Sequence, residues 1–283
     1  MNKQRYNILS FGSDPEFFIR DNKTNEIVSA EDFIPGDKSF PTDLTDKGHN
    51  MQHDNVMVEI CIPPVKNVDE FIKEIEFTVG KVNEYLATKD KNLVVVIQSS
   101  ATLDSKYLKT ENALTVGCSV DYNAWLKEEN PKVDVVSTND RWAGGHIHIG
   151  LQDNSDDEMN YVEMIENVVK AFDMFLGLPF VVLDPNDDRK HVYGCAGRFR
   201  FTPYGFEYRT LSNYWLSSNK LMKYVFEQMK QAISFINAGN KIPDEVKEII
   251  DSVNKEKAIE FCQKYKINLL KNEKSKRNSK ILV

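Results

Sequence analysis

Four short stretches of this chain place polar, mostly titratable side chains two or four residues apart, with apolar ones on the alternate face, which restricts each to a half-buried β-strand. In Gly12-Ser-Asp-Pro-Glu-Phe-Phe-Ile, within an expected strand from Phe11 to Arg20, Asp14 and Glu16 share one face while Phe17 and Ile19 take the other. In Asp54-Asn-Val-Met-Val-Glu-Ile, Asn55 and Glu59 share a face and Val56, Val58 and Ile60 point away. In Gly144-Gly-His-Ile-His-Ile-Gly, His146 and His148 oppose Ile147 and Ile149. In Gly205-Phe-Glu-Tyr-Arg-Thr-Leu, Glu207 and Arg209 oppose Phe206 and Tyr208. A further strand is expected at Leu93–Gln98.

Helical periodicity supplies the layer these strands need. Apolar residues fall on one stripe from Asn67 to about Ala87, with Asn67 and Glu70 spaced as a capping box. A second helix is expected from Ser155 to Leu176, stopped by Gly177 and Pro179, and a third from Ser217 to Asn237. Two shorter helices, Asp244–Val253 and Lys255–Tyr265, follow. Strands and long helices in this order predict an α+β domain, with helices on one face of a largely antiparallel sheet. The expected organisation is one domain over residues 1–240, a helical extension over 241–270, and a basic tail over 271–283.

Composition closes off several functions. No run of 18 apolar residues exists, so no membrane-spanning helix is expected, and the N-terminus lacks the apolar stretch of a secretory signal. A net charge of −7 speaks against a nucleic-acid partner. Cys61, Cys118, Cys195 and Cys262 are scattered without a paired spacing, which reads as reduced thiols in a cytoplasmic protein.

Any one of the four strands, taken alone, reads as a solvated face carrying an ion pair. Together, Asp14, Glu16, Glu59, His146 and Glu207 converge if the strands are neighbours, and converging carboxylates repel unless cations bind among them. Oxygen-rich donors with one imidazole suit Mg2+ or Mn2+ rather than zinc. The glycines flanking the two histidines suit close approach of backbone to a ligand. The stretch Asp184–Arg200 adds Arg189, Lys190, Arg198 and Arg200 in an expected glycine-containing loop. That loop reads either as a polyphosphate-binding segment or as a solvated one balancing Asp184, Asp187 and Asp188. Phe33 to His53, with Lys38, His49 and His53, reads as a substrate-facing loop or a surface hairpin.

With these motifs in this order, residues 8 to 218 resemble the carboxylate–amine ligases of the glutamine synthetase and glutamate–cysteine ligase superfamily. They look closest to the phage-encoded COOH–NH2 ligases. The resemblance rests on Gly12-Ser-Asp-Pro-Glu-Phe-Phe, Asp54-Asn-Val-Met-Val-Glu-Ile-Cys-Ile-Pro-Pro, Gly144-Gly-His-Ile-His-Ile-Gly, Val192-Tyr-Gly-Cys-Ala-Gly and Glu207-Tyr-Arg-Thr-Leu-Ser-Asn-Tyr-Trp. It implies a glutamine-synthetase-like catalytic domain with a carboxylate-lined face. It also implies ATP and Mg2+ as cofactors, and small-molecule or peptide acids and amines as substrates. By the same resemblance Asp14, Glu16, Glu59, His146 and Glu207 are metal ligands. His148, Arg189, Lys190 and Arg209 lie toward the nucleotide, and Arg209, Glu59 and Arg198 act in catalysis. Asp14 stands where the family has a glutamate. The rival functions are a guanidino-kinase-like enzyme on the same fold, a metal-dependent hydrolase, and a non-catalytic phage protein.

Overall fold

The computed structural model describes residues 6–114, 120–131, 138–152, 158–186 and 188–270, with backbone alone for 158–160. Cys118, Asp187 and the 271–283 tail therefore lie outside the described residues. The chain runs through β1 (Ile8–Ser13), β2 (Glu16–Asp21), β3 (Glu26–Val28), β4 (Thr42–Asp43), β5 (Asn50–Asp54) and β6 (Met57–Cys61) to the long helix α1 (Val68–Lys89). It continues through β7 (Leu93–Val96), β8 (Ser100–Thr102), α2 (Glu111–Leu114), β9 (Tyr122–Asn123), β10 (Glu128–Glu129), β11 (Asp140–Trp142) and β12 (Ile147–Leu151). Next come α3 (Glu158–Phe172), α4 (Leu178–Leu183), the hairpin β13 (Arg198–Thr202) and β14 (Gly205–Tyr208), then α5 (Asn219–Asn237), α6 (Glu245–Asp251) and α7 (Lys255–Lys264).

The α+β class expected from the sequence is what the structure has, with all strand pairings among the described residues antiparallel. The single sheet expected is instead divided. One sheet has the order β1-β12-β14-β13-β9-β10 and another the order β3-β2-β6-β5-β4, with β7 also on β2. A two-stranded ribbon of β8 and β11 stands apart. The division falls inside the strand expected from Phe11 to Arg20. Pro15 has no N–H to continue a ladder, and at Asp14–Pro15 the chain leaves the first sheet and enters the second.

Both sheets turn their apolar faces to one core. Ile147, Ile149, Phe206 and Tyr208 of the first join Phe17, Ile19, Val58 and Ile60 of the second, under α1, α3 and α5. The second sheet also has a small core on its other side, where Phe18 and Val96 meet Met57, Ala101, Leu103 and Ala143. Only part of that face is therefore left for chemistry. Helix α1 forms as its pattern requires: Asn67 caps the Glu70 N–H at 3.0 Å, and Phe71, Ile75, Val79, Val82 and Leu86 are buried in the core. Truncating Phe71 to Ala there would cost about 3–5 kcal/mol. Residues of α6 and α7 (Val246, Ile250, Phe261, Cys262) are part of the same core.

The helix expected to stop at Gly177 and Pro179 does not stop. After α3 the backbone widens into a π-helical turn, Asp173–Gly177, and runs directly into α4. Pro179 falls in the first turn of α4, where a missing N–H is tolerated. Gly177 packs closely: a Cβ there would stand 3.0 Å from the Tyr208 hydroxyl and 3.1 Å from Ile250 Cδ1, tighter than ordinary contact. The π-turn also delivers Asp173, fully buried, to four donors: Trp125 Nε1 at 2.6 Å, Gly197 N at 2.6 Å, the Tyr208 hydroxyl at 2.8 Å and the Thr210 hydroxyl at 3.3 Å. Burial pushes this carboxyl up to about 7 despite those bonds. It ties β14 to the turn that follows β9 and to the loop that enters β13. Cys61, Cys195 and Cys262 are free thiols. Among the described residues no helix is long and apolar enough to cross a membrane.

Candidate active site

The first sheet builds a charged row from register alone. Gly12 of β1 pairs with His148 of β12, His148 with Glu207 of β14, and Glu207 with Arg200 of β13. The row lies opposite the apolar face because the pleat alternates. Glu207 is 1% exposed and faces three side chains: Arg200 Nη1 at 3.1 Å, Arg209 Nη1, and His146 Nδ1 at 3.2 Å. Arg209 also faces Asp121, 3.5 Å from its Nε, and Arg198 pairs with the same carboxylate at 3.2 Å.

Asp14 stands over this row from the crossover between the sheets. Its Oδ1 lies 2.9 Å from His148 Nε2 and 3.4 Å from His146 Nδ1. Burial opposes ionisation of Asp14, but the charge of His148 and His146 outweighs it and holds the carboxyl well below its ordinary range. Burial would likewise lower His148; facing Asp14, it is raised instead. Its Nδ1 meets the hydroxyl of Tyr204, a half-exposed residue in the β13–β14 turn.

The second sheet carries a separate acidic group. Glu16 of β2 is directly opposite Glu59 of β6, which is opposite Gln52 of β5. Like charges directly across a ladder repel, and Asp54 at the end of β5 adds a third. Burial, and then the charges of Asp14, Asp54 and Glu16, push Glu59 well above the ordinary carboxylate value. The compensating contacts are few: Gln52 Nε2 donates to Glu59 at 3.0 Å, Gly144 N to Glu16 at 2.5 Å, and Lys38 Nζ sits 2.7 Å from Asp54.

Two sets of donors could therefore hold a divalent cation. The ligand atoms of Asp14, His148 and Glu207 lie within 4.8 Å of one another, and so do those of Glu16, Asp54 and Glu59. The first set fits a metal on a specific observation. Asp14 Oδ1 and His148 Nε2 are both buried and 2.9 Å apart, and with Glu207 they offer two carboxylates and an imidazole within reach of one cation, which could take the place of a proton between Asp14 and His148.

Of the residues expected to converge, Asp14, His146, His148, Glu207, Arg198 and Arg209 form one continuous group, with Glu16 and Glu59 beside it. Asp14 and Glu16 do not share a strand face as expected, because Asp14 lies in the crossover between the sheets while Glu16 opens β2. Asn55 is not on the Glu59 face either. It occupies the β5–β6 turn at φ 55°, and Asp54 faces the site in its stead. Arg198 and Arg200 lie on β13 rather than in a loop. Arg189 donates to the carbonyls of Thr210 at 3.0 Å and Arg209 at 3.1 Å, and Lys190 stands 3.8 Å from Asp184. These two brace the exit from β14.

The glycines around the histidines serve close contacts within the protein. A Cβ on Gly144 would meet the His146 ring at 2.2 Å, on Gly145 the Ser212 carbonyl at 2.4 Å, and on Gly150 the Ser10 hydroxyl at 2.3 Å. In the 33–53 segment His49 is buried between Thr45 and Glu74, while Lys38 reaches the acids. Asp54 and Asp121 were missed by sequence reasoning. Asp54 was findable from the shared face of Gln52 and Asp54; Asp121 has no local pattern to mark it.

No curated protein matches this chain. Residues 137–271 match the family model described as Phage phiEco32-like COOH.NH2 ligase-type 2, a span that contains His146, His148, Arg198, Glu207 and Arg209. Over those residues the chain is similar to that family of carboxylate–amine ligases.

Proposed function

We propose that this protein is an ATP-dependent carboxylate–amine ligase on a glutamine-synthetase-like domain, joining a small-molecule or peptide acid to an amine through an acyl phosphate. The domain would take in residues 1–240, with 241–270 as its helical extension. The observation that carries this reading is the Gly12–His148–Glu207–Arg200 row with Asp14 above it. It sets cation-seeking donors directly beside arginines, the combination that a polyphosphate requires.

A carboxylate is a poor acyl donor because its leaving group would be oxide. In the proposed reaction its oxygen attacks the γ-phosphorus of ATP and ADP departs. The amine nitrogen then attacks the acyl carbon and phosphate departs. Arg209 and Arg198 offset charge on the phosphoryl group as it transfers. His146 bridges Asp14 and Glu207 and fixes both carboxylates in place. Glu59 is pushed up by burial and then by its acidic neighbours; a cation among the acids would offset both and leave it ionised, able to take the proton that the amine sheds. Magnesium or manganese, held by Asp14, His148 and Glu207 and by Glu16, Glu59 and Asp54, would withdraw charge from the phosphate oxygens.

Hydroxylamine, a generic amine, tests this directly. With Mg2+, ATP, hydroxylamine and a panel of amino acids and short peptides, the protein should release ADP and phosphate in step with hydroxamate. Glu16→Ala and Glu207→Ala should abolish both. ADP release with a phosphorylated acceptor and no hydroxamate would convert the reading to a kinase. Hydrolysis of substrates without ATP would overturn it.

A further inference from the structure

Beside the site, five charged side chains form one unbroken series: Arg198, Asp121, Arg209, Glu207, Arg200. Asp121 is its pivot. It is 4% exposed and directly precedes β9. Its Oδ2 faces Arg198 Nη1 at 3.2 Å and Arg209 Nε at 3.5 Å, while its Oδ1 accepts from the Asn130 amide at 3.0 Å. Asn130 N also donates to the Asp121 carbonyl at 2.9 Å, so the carboxylate is pinned across the β9–β10 hairpin.

Arg209 needs such a partner. It directly follows β14 and its N–H still donates to the Arg198 carbonyl at 3.0 Å, but a backbone bond does not fix its long side chain. Glu207 takes its Nη1 from one side, and Asp121 faces its Nε from the other. A guanidinium held at two edges keeps its plane, and a planar fork is effective only when correctly aimed.

We propose that Asp121 is the positioning residue for the arginines of this site, aiming Arg209 at the transferring phosphoryl group. The proposal rests on the reading of Arg209 given above. Asp121 touches no substrate. Its charge even works against anion binding, since its removal leaves Arg198 and Arg209 less neutralised. An orienting role therefore separates binding from turnover: loss of the charge leaves nucleotide affinity intact or tighter while the reaction slows. A merely structural role would weaken both.

The test compares the full-length wild type with Asp121→Asn, Asp121→Glu and Arg209→Lys. Calorimetry with Mg2+ and a non-hydrolysable ATP analogue reads affinity, and ADP release in the hydroxylamine mixture reads turnover. Asp121→Asn should bind the analogue within about twofold of wild type or more tightly, yet release ADP at least ~10-fold more slowly, with partial rescue in Asp121→Glu. The Arg209 Nε–H signal in NMR, identified by its loss in Arg209→Lys, should exchange slowly in wild type and be lost from Asp121→Asn. Unchanged turnover, a parallel loss of affinity and turnover in both variants, or a retained Nε–H signal would overturn the proposal. If the wild type neither binds the analogue nor releases ADP, the nucleotide reading fails, and the Nε–H signal alone decides whether Asp121 holds Arg209.

Discussion

Around Asp14 two groups of acids are held side by side by different parts of the fold. On the first sheet Arg200 and His148 meet Glu207 and Asp14 from fixed registers, while His146 and Arg209 stand just outside the ends of β12 and β14. On the second sheet Glu16, Glu59 and Asp54 converge with one cationic side chain in contact, Lys38, which comes from a connection and is half exposed. The electrostatics diverge accordingly. Asp14 is held well below the usual range and Glu59 well above it. The first group meets most of its negative charge within the protein; among the described residues the second meets less of its own.

The strongest way to break this comparison is to remove the anchor of the first group. Glu207→Ala leaves Arg200, Arg209 and His146 without their shared carboxylate, and losing one partner of a buried ion pair costs about 3–5 kcal/mol. Urea unfolding should show this loss, and ADP release should vanish. Glu207→Gln, which keeps the shape, should retain more stability and no turnover; wild-type values for both variants would refute the assignment.

A second test uses the opposite signs of the two shifts. Asp14 is lowered in the fold, so its contribution is present above the unfolded carboxylate range and lost as pH falls through its folded value. Glu59 is raised, so the native state holds a proton the unfolded chain has released. Its contribution is fully present below the ordinary carboxylate range and lost as pH rises through its raised value. Unfolding free energies measured against pH should therefore lose their low-pH decline in Asp14→Asn and their decline on the rising side in Glu59→Gln. The same profile in both variants would mean that the two groups are one.

The smallest effect concerns Lys38. Its pairing with Asp54 is partly solvated, so Lys38→Met should cost no more than about 1 kcal/mol. The variant should nonetheless gain more melting temperature from added Mg2+ than the wild type does. An equal gain would show that Lys38 does not offset the acids of the second group.

Period-two alternation made the core faces and the charged row legible, because each strand's two faces are determined within five residues. The α1 cap and stripe were legible for the same reason. What alternation cannot show is which strand lies beside which. Asp14–Pro15 looks like the middle of a strand until the partners are known, and only the missing proline N–H hinted at the crossover. Arg189 carried the same charge in sequence as Arg198, yet its partners are carbonyls brought from twenty residues away. Asp121 gained its role from a hairpin meeting β13, a long-range event with no local trace. The helix through Gly177 continued because a π-turn could form where Asp173 finds four donors.

In the proposed ligase these two groups and the arginines beside them would make one magnesium–nucleotide site, and calorimetric titration of a non-hydrolysable ATP analogue reads it out. Binding should require Mg2+, and it should be lost in both Asp14→Asn on the first group and Glu59→Gln on the second. Binding of equal strength without Mg2+ and in both variants, or no binding to the wild type, would contradict it.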